Sequence, residues 1–338
     1  MKSKVYVVLS VSALLVAFPS SSKAFAQNKF LHAYVTNFGE DTVTAIDVAR
    51  GKTVANIVTG AKPHGVAIDP RGDAVYVSNE GDNTLSVIDP ATNAVRKTVS
   101  LSGTPNQLAI SPDGKRVFVT IYDEGVLAVV DTESFQLLDK VAVGRTPHIV
   151  TVVPARSSLL VTSEGDSKLV ELSMGNNGVE LIGDVPLFAW PRVLIGGADK
   201  KTAYQTIRCL NGVLVIDLES RNVVDRIALG EPDFAVDGKD AHGLAVTPDG
   251  RELWLTTQTT NDVSIIGIDS GKVEEKIVVG KNPNWIAFSP DGALAVVSNT
   301  DDDTVSILHV GQRYVVATVG VGDSPKRLAV GYVRPSAP

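Results

Sequence analysis

Three of the five histidines in this 338-residue chain, His64, His148 and His242, sit in the middle of one recurring phrase. The phrase is a proline or alanine, one variable residue, then a short apolar run. It reads Pro63-His64-Gly65, Pro105-Asn106-Gln107, Pro147-His148-Ile149, Pro191-Arg192-Val193, Ala241-His242-Gly243, Pro283-Asn284-Trp285 and Pro325-Lys326-Arg327. Every variable residue is polar or charged. Three neutral imidazoles brought together could hold a divalent metal such as Zn, Cu, Fe or Ni. Asn106, Arg192, Asn284 and Lys326 offer instead a set for a small ligand, the two cations suiting a carboxylate or phosphate. A plainer reading stands beside both, in which the polar residues form a solvated rim.

Carboxylates gather at a second recurring place: Glu40, Asp41, Glu80, Asp82, Asp123, Glu124, Glu164, Asp166, Asp301, Asp302 and Asp303. Beside glycine and asparagine such residues are first of all turn formers. Glu80 and Glu164 are also placed to reach His64 and His148, as general bases or as partners that orient an imidazole. An acidic rim could attract a cationic partner or bind Ca²⁺ weakly, but no spacing matches an EF-hand loop. At Thr206-Ile207-Arg208-Cys209 the pattern breaks, and Arg208 with Arg192 makes a positive quadrant. Cys209, the sole cysteine, excludes an internal disulfide and is reactive only if a neighbour such as Arg208 lowers its pKa. Trp190 and Trp285 flank the histidine set and could stack on haem or a quinone, although aromatic residues more often pack between elements. There is no Gly-x-Ser-x-Gly elbow, phosphate loop, haem-attachment motif or Cys/His zinc framework.

What must position these residues is legible in their spacing. The variable positions 64, 106, 148, 192, 242, 284 and 326 lie 42, 42, 44, 50, 42 and 42 residues apart. His64–Gly103 shows the unit: four short β-branched strands parted by Pro, Gly, Asn and Asp turns. A four-stranded unit repeated near every 42 residues predicts an all-β, seven-bladed propeller. The ends predict its closure. Leu31–Thr59 supplies the second, third and fourth strands of a unit, and Lys326–Tyr332 supplies the missing first, which hides two sheet edges. In such a ring the innermost strands line a channel, so His64, Asn106, His148, Arg192, His242, Asn284 and Lys326 should circle one mouth. The second-to-third-strand hairpins, with their acids, open on the same face. Pro154-Ala155-Arg156-Ser157 and Gly197-Ala198-Asp199-Lys200 replace the usual turn in the fourth and fifth blades, and Glu231–Asp240 is an inserted loop.

Residues 1–26 read as a secretory signal peptide: Lys2 and Lys4, the apolar run Val5–Phe18, and Ala24-Phe25-Ala26 before the cut. A retained anchor is the alternative. The expected mature protein, residues 27–338, is one propeller domain, periplasmic or secreted, with no transmembrane segment. Removing Lys2, Lys4 and Lys23 leaves 28 basic residues against 38 acidic, a net charge of −10 that argues against nucleic acid as a partner. Closure of the ring removes the edge-strand route to assembly and points to a monomer.

Tyr34-Val35-Thr36-Asn37, echoed by Tyr76-Val77-Ser78-Asn79 and Val296-Val297-Ser298-Asn299, resembles the YVTN-type β-propeller repeat of YncE-like periplasmic proteins. Ser111-Pro112-Asp113-Gly114, Thr247-Pro248-Asp249-Gly250 and Ser289-Pro290-Asp291-Gly292 belong to the same pattern. The resemblance implies the fold and an exported location, and it leaves the ligand open, since similar propellers include haem d1-binding proteins and sugar-lactone hydrolases. The expectation is a non-enzymatic protein that binds a small molecule or a partner protein at the channel mouth. The alternatives are a metal-dependent lactonase or lyase using His64, His148, His242 and Glu80 or Glu164, and a haem- or quinone-binding protein.

Overall fold

The structure, a computed structural model, describes residues 29–175, 178–230 and 241–334. The expected signal peptide and the Glu231–Asp240 insertion lie outside the described residues. Seven four-stranded antiparallel sheets follow one another as blades. Blade 1 joins the C-terminal strand Pro325–Val333 to Phe30–Asn37, Thr42–Asp47 and Lys52–Val58, which closes the ring as the chain ends predict. Blades 2 to 7 begin with the inner strands Pro63–Ile68, Pro105–Ile110, Pro147–Val153, Pro191–Gly196, Ala241–Val246 and Pro283–Phe288. Among the described residues no helix is long and apolar enough to cross a membrane.

Each blade is apolar on both faces because it is sandwiched between two others. In Val75-Tyr76-Val77 the alternation of side chains sends Tyr76 towards blade 3, while Val75 and Val77 face blade 1. The outermost strands meet water on their free edge and carry charges, as in Ala94–Ser100 with Arg96 and Lys97.

The inner strands are not regular. In every blade the register to the second strand shifts just after the proline or alanine, as between Pro63 and Val66, so the variable residue, and in six of the seven blades its successor too, lies in a bulge. The freed backbone groups are taken up by a buried hydroxyl from the second strand. Thr36, Ser78, Thr120, Thr162, Thr206, Thr256 and Ser298 each accept the N–H of the residue after the variable one, at 2.7 to 3.1 Å. Five of them also donate to the carbonyl of the variable residue in the next blade: Thr36 to His64, Ser78 to Asn106, Thr120 to His148, Thr206 to His242 and Ser298 to Lys326. This is the third letter of the YVTN pattern. The fourth has its own work: Asn37, Asn79 and Asn299 each donate to two hydroxyls of the third strand, such as Thr42 and Thr44.

Inner strands packed this closely leave little room beside the bulge. A Cβ at Gly243 would lie 2.7 Å from the Asn284 carbonyl oxygen, and one at Gly65 would lie 2.8 Å from that of Asn106.

Thr120 is fully buried and binds both the Gln107 N–H and the His148 carbonyl. Thr120→Val keeps the shape and strands both groups, so it should cost about 1–3 kcal/mol in urea denaturation. An unchanged midpoint would show that the hydroxyls do not tie the blades together.

Candidate functional site

The bulges aim the variable residues at the channel, and the ring predicted from the spacing forms there. It is drier than a solvated rim. His64, Asn106, His148, His242 and Asn284 are buried, and Arg192 and Lys326 are partly so. The hairpin acids take different roles, Asp41 and Asp303 accepting a backbone N–H from the loop that enters the next blade. Asp82, Asp123, Asp166 and Asp302 are staples, each accepting a backbone N–H from the loop that enters its own blade. Glu80 and Glu164 point inward. Glu80 Oε1 accepts from Asn106 Nδ2 at 2.5 Å and lies 3.6 Å from His64 Nδ1. Glu164 Oε1 lies 3.4 Å from His148 Nδ1 and 3.5 Å from an Arg192 guanidinium nitrogen.

Among these residues lies Arg327, which the spacing of the variable positions does not mark. Arg327 follows the last variable position, where other blades carry Gly65, Gln107, Ile149, Val193, Gly243 and Trp285. The residue is 2% exposed, and its guanidinium donates to Asn284 Oδ1 at 2.7 Å and lies 3.4 Å from His148 Nε2. It stacks on Trp285, 4.4 Å from the ring centroid. The one available signal was its type, an arginine where the sibling blades place nothing charged.

The charge states follow from burial around this cation. His64, His148 and His242 are held well below the usual imidazole pKa, first by desolvation and then by Arg327, so all three are neutral. His148 accepts from Arg327 at Nε2, which leaves its proton on Nδ1 facing Glu164. His242 Nδ1 donates to the Asn284 carbonyl at 2.8 Å. Burial raises the Glu80 carboxyl to about 7, against the pull of Arg327 and Lys326, and raises Glu164 as well. Burial lowers Lys326 and brings Arg327 down to about 9, so the guanidinium keeps its charge at neutral pH.

A metal ion does not fit this arrangement. A guanidinium already faces the His148 lone pair, and a second cation there would be repelled. Among the described residues no three or more His, Cys, Asp or Glu are grouped as a metal would require. The two tryptophans each carry a guanidinium: Trp285 has Arg327 on its face, and Trp190, on blade 5, has Arg208 at 4.9 Å. Cys209 takes a left-handed backbone conformation in that same hairpin.

The YncE-like β-propeller family model matches residues 4–333, and the chain belongs to that family. A search of curated proteins finds no match. The periplasmic gluconolactonase of Pseudomonas aeruginosa is 22% identical, with a TM-score of 0.72 over 89% of this chain and 99% of that one. Hydrazine synthase of Kuenenia stuttgartiensis is 17% identical, with a TM-score of 0.73 over 87% and 99%. A protein from Lactobacillus plantarum is 14% identical, with a TM-score of 0.77 over 89% and 99%. At such identities these likenesses concern the fold alone.

The protonation states carry opposite pH dependences. Between about pH 4.5 and 7 the folded chain keeps a proton on Glu80 that the unfolded chain has released, so this group's contribution to stability falls as pH rises. The unfolded histidines take up protons below 6.5 that the folded ones refuse, so their contribution falls as pH drops through that value. Glu80→Gln removes only the first. Its stability relative to the parent should rise between about pH 5 and 8, by up to about 3 kcal/mol in urea denaturation. A difference that stays flat would contradict the raised carboxyl.

Proposed function

We propose that this chain is an exported binding protein that holds a small carboxylate at the mouth of its channel. The observation that supports this reading is the buried guanidinium of Arg327, whose Nε has no hydrogen-bond partner, as is also true of Arg192 Nε. Three fixed cations, Arg192, Lys326 and Arg327, stand among three neutral imidazoles and two carboxylates, one of which titrates near 7. The local excess is positive, and buried N–H groups left over are a cost that an anionic oxygen removes. The protein as a whole is acidic, which repels polyanions such as nucleic acid while the channel attracts small anions. Export rests on the leader-like first 26 residues and agrees with the periplasmic location of the Pseudomonas neighbour.

A thermal-shift panel of small carboxylates, amines and neutral sugars tests the reading. Carboxylates should raise the melting temperature, and Arg192→Gln and Lys326→Gln should each diminish the effect. Stabilisation by amines or sugars but not by carboxylates would overturn it.

The His148–Glu164 contact favours a second reading, hydrolysis of a lactone without a metal. Glu164, with His148 beside it, would draw a proton from the attacking water, and the cations would stabilise the developing oxyanion. The product, a hydroxycarboxylate, belongs to the ligand class already proposed. Alkali uptake on adding gluconolactone, lost in Glu164→Gln, would support hydrolysis; a rate equal to that of buffer would eliminate it for this substrate.

A further inference from the structure

Blade 5 interrupts the mouth. In four other blades an aspartate staples the entering loop to the hairpin, but here Leu210 stands where blades 2, 4 and 7 carry that aspartate, and Arg208 stands where blades 2 and 4 carry Glu80 and Glu164, its N–H binding the Trp190 carbonyl at 2.9 Å. Phe188 and Trp190 stand out of that loop, 68% and 53% exposed. With Ser167, Ala189, Arg208 and Cys209 they line an open groove of about 500 Å³. Two large aromatic residues thus stand in water beside a guanidinium, a surface of the kind that binds ligands.

The groove and the channel share a wall. Arg208 and Arg192 both act on the Glu164 carboxyl, and Ser167 belongs to the same hairpin as Glu164. Trp190 precedes Arg192 by two residues, so their Cα atoms are at most about 7 Å apart. A cationic site and an aromatic shelf therefore adjoin within reach of one small molecule.

We infer that the ligand is a flat aromatic carboxylate, its ring lying on Trp190 in the blade 5 groove and its carboxylate held by Arg192 at the channel mouth. This rests on the carboxylate reading and adds the other half of the molecule. Arg208, already stacked on the indole, supplies a planar cation against which the ring packs. Charge complementarity favours an anion over a neutral arene. Arg192 has an unpartnered buried Nε to offer, and the partly buried Lys326 lies on the same ring.

The test is calorimetric titration of the full chain with acetate, 2-naphthoate and 2-naphthalenemethanol, repeated on Trp190→Ala, Trp190→Phe and Arg192→Gln. The exposed Trp190 can be replaced without disturbing a packed core, so these variants should fold. 2-Naphthoate should bind at least about tenfold more tightly than acetate. Trp190→Ala should erase most of that advantage, Trp190→Phe should keep it, and Arg192→Gln should weaken both carboxylates. Acetate and 2-naphthoate binding equally well, or a ratio unmoved by Trp190→Ala, would overturn the aromatic half while leaving the carboxylate reading intact; this is also the result expected if the groove serves a protein partner. Binding of the alcohol as tightly as the acid would overturn the charge argument, and binding of none of the three would overturn both.

Discussion

A buried hydroxyl in the second strand of each blade holds the centre of this molecule together. It accepts the N–H that the inner-strand bulge leaves unpaired, and in five blades it passes its own proton to the next blade's carbonyl. Without it each bulge would bury orphaned backbone groups, at a cost of about 1–3 kcal/mol apiece. The carbonyls it grips belong to His64, Asn106, His148, His242 and Lys326, which are members of the channel ring. The interaction that joins the blades is therefore the one that aims the chemistry.

What the ring can do is governed by one charge. Burial keeps the three imidazoles neutral, and the Arg327 guanidinium buried among them pushes in the same direction. The two inward glutamates offset it only in part, because burial raises their own pKa values. Removing water from both signs of charge leaves a site poised for an anion from outside. Blade 5 then makes the site asymmetric. It lacks the aspartate that staples the hairpin in four other blades, and its arginine and exposed aromatics offer an open shelf there.

Much of this was legible in the chain. The period near 42 residues and the split unit at the two ends led to seven blades and their closure. Aligning the seven phrases also placed the ring residues on one mouth, since equivalent positions in a closed repeat share one height and one direction. Glu80 and Glu164 were separable from the other hairpin acids only by supposing that they point inward, which they do. Their neighbours Asp82 and Asp166 serve the backbone instead. Arg327 was not legible, because it follows the variable position, where the other six blades carry no charged residue. The buried character of the ring escaped as well, because exposure depends on how far seven side chains crowd one another.

By itself the sequence determined the repeat, the alternation that makes both faces of each blade apolar, and the hydroxyl and asparagine that complete the YVTN pattern. Those are local or periodic properties, written in spacing and residue type. The tertiary structure alone decided that Arg327 meets His148, 179 residues away in sequence, and that the histidines surround a guanidinium. Such contacts span the channel between blades remote in sequence, where distance, desolvation and charge are set by closure of the ring and by no feature of any single repeat.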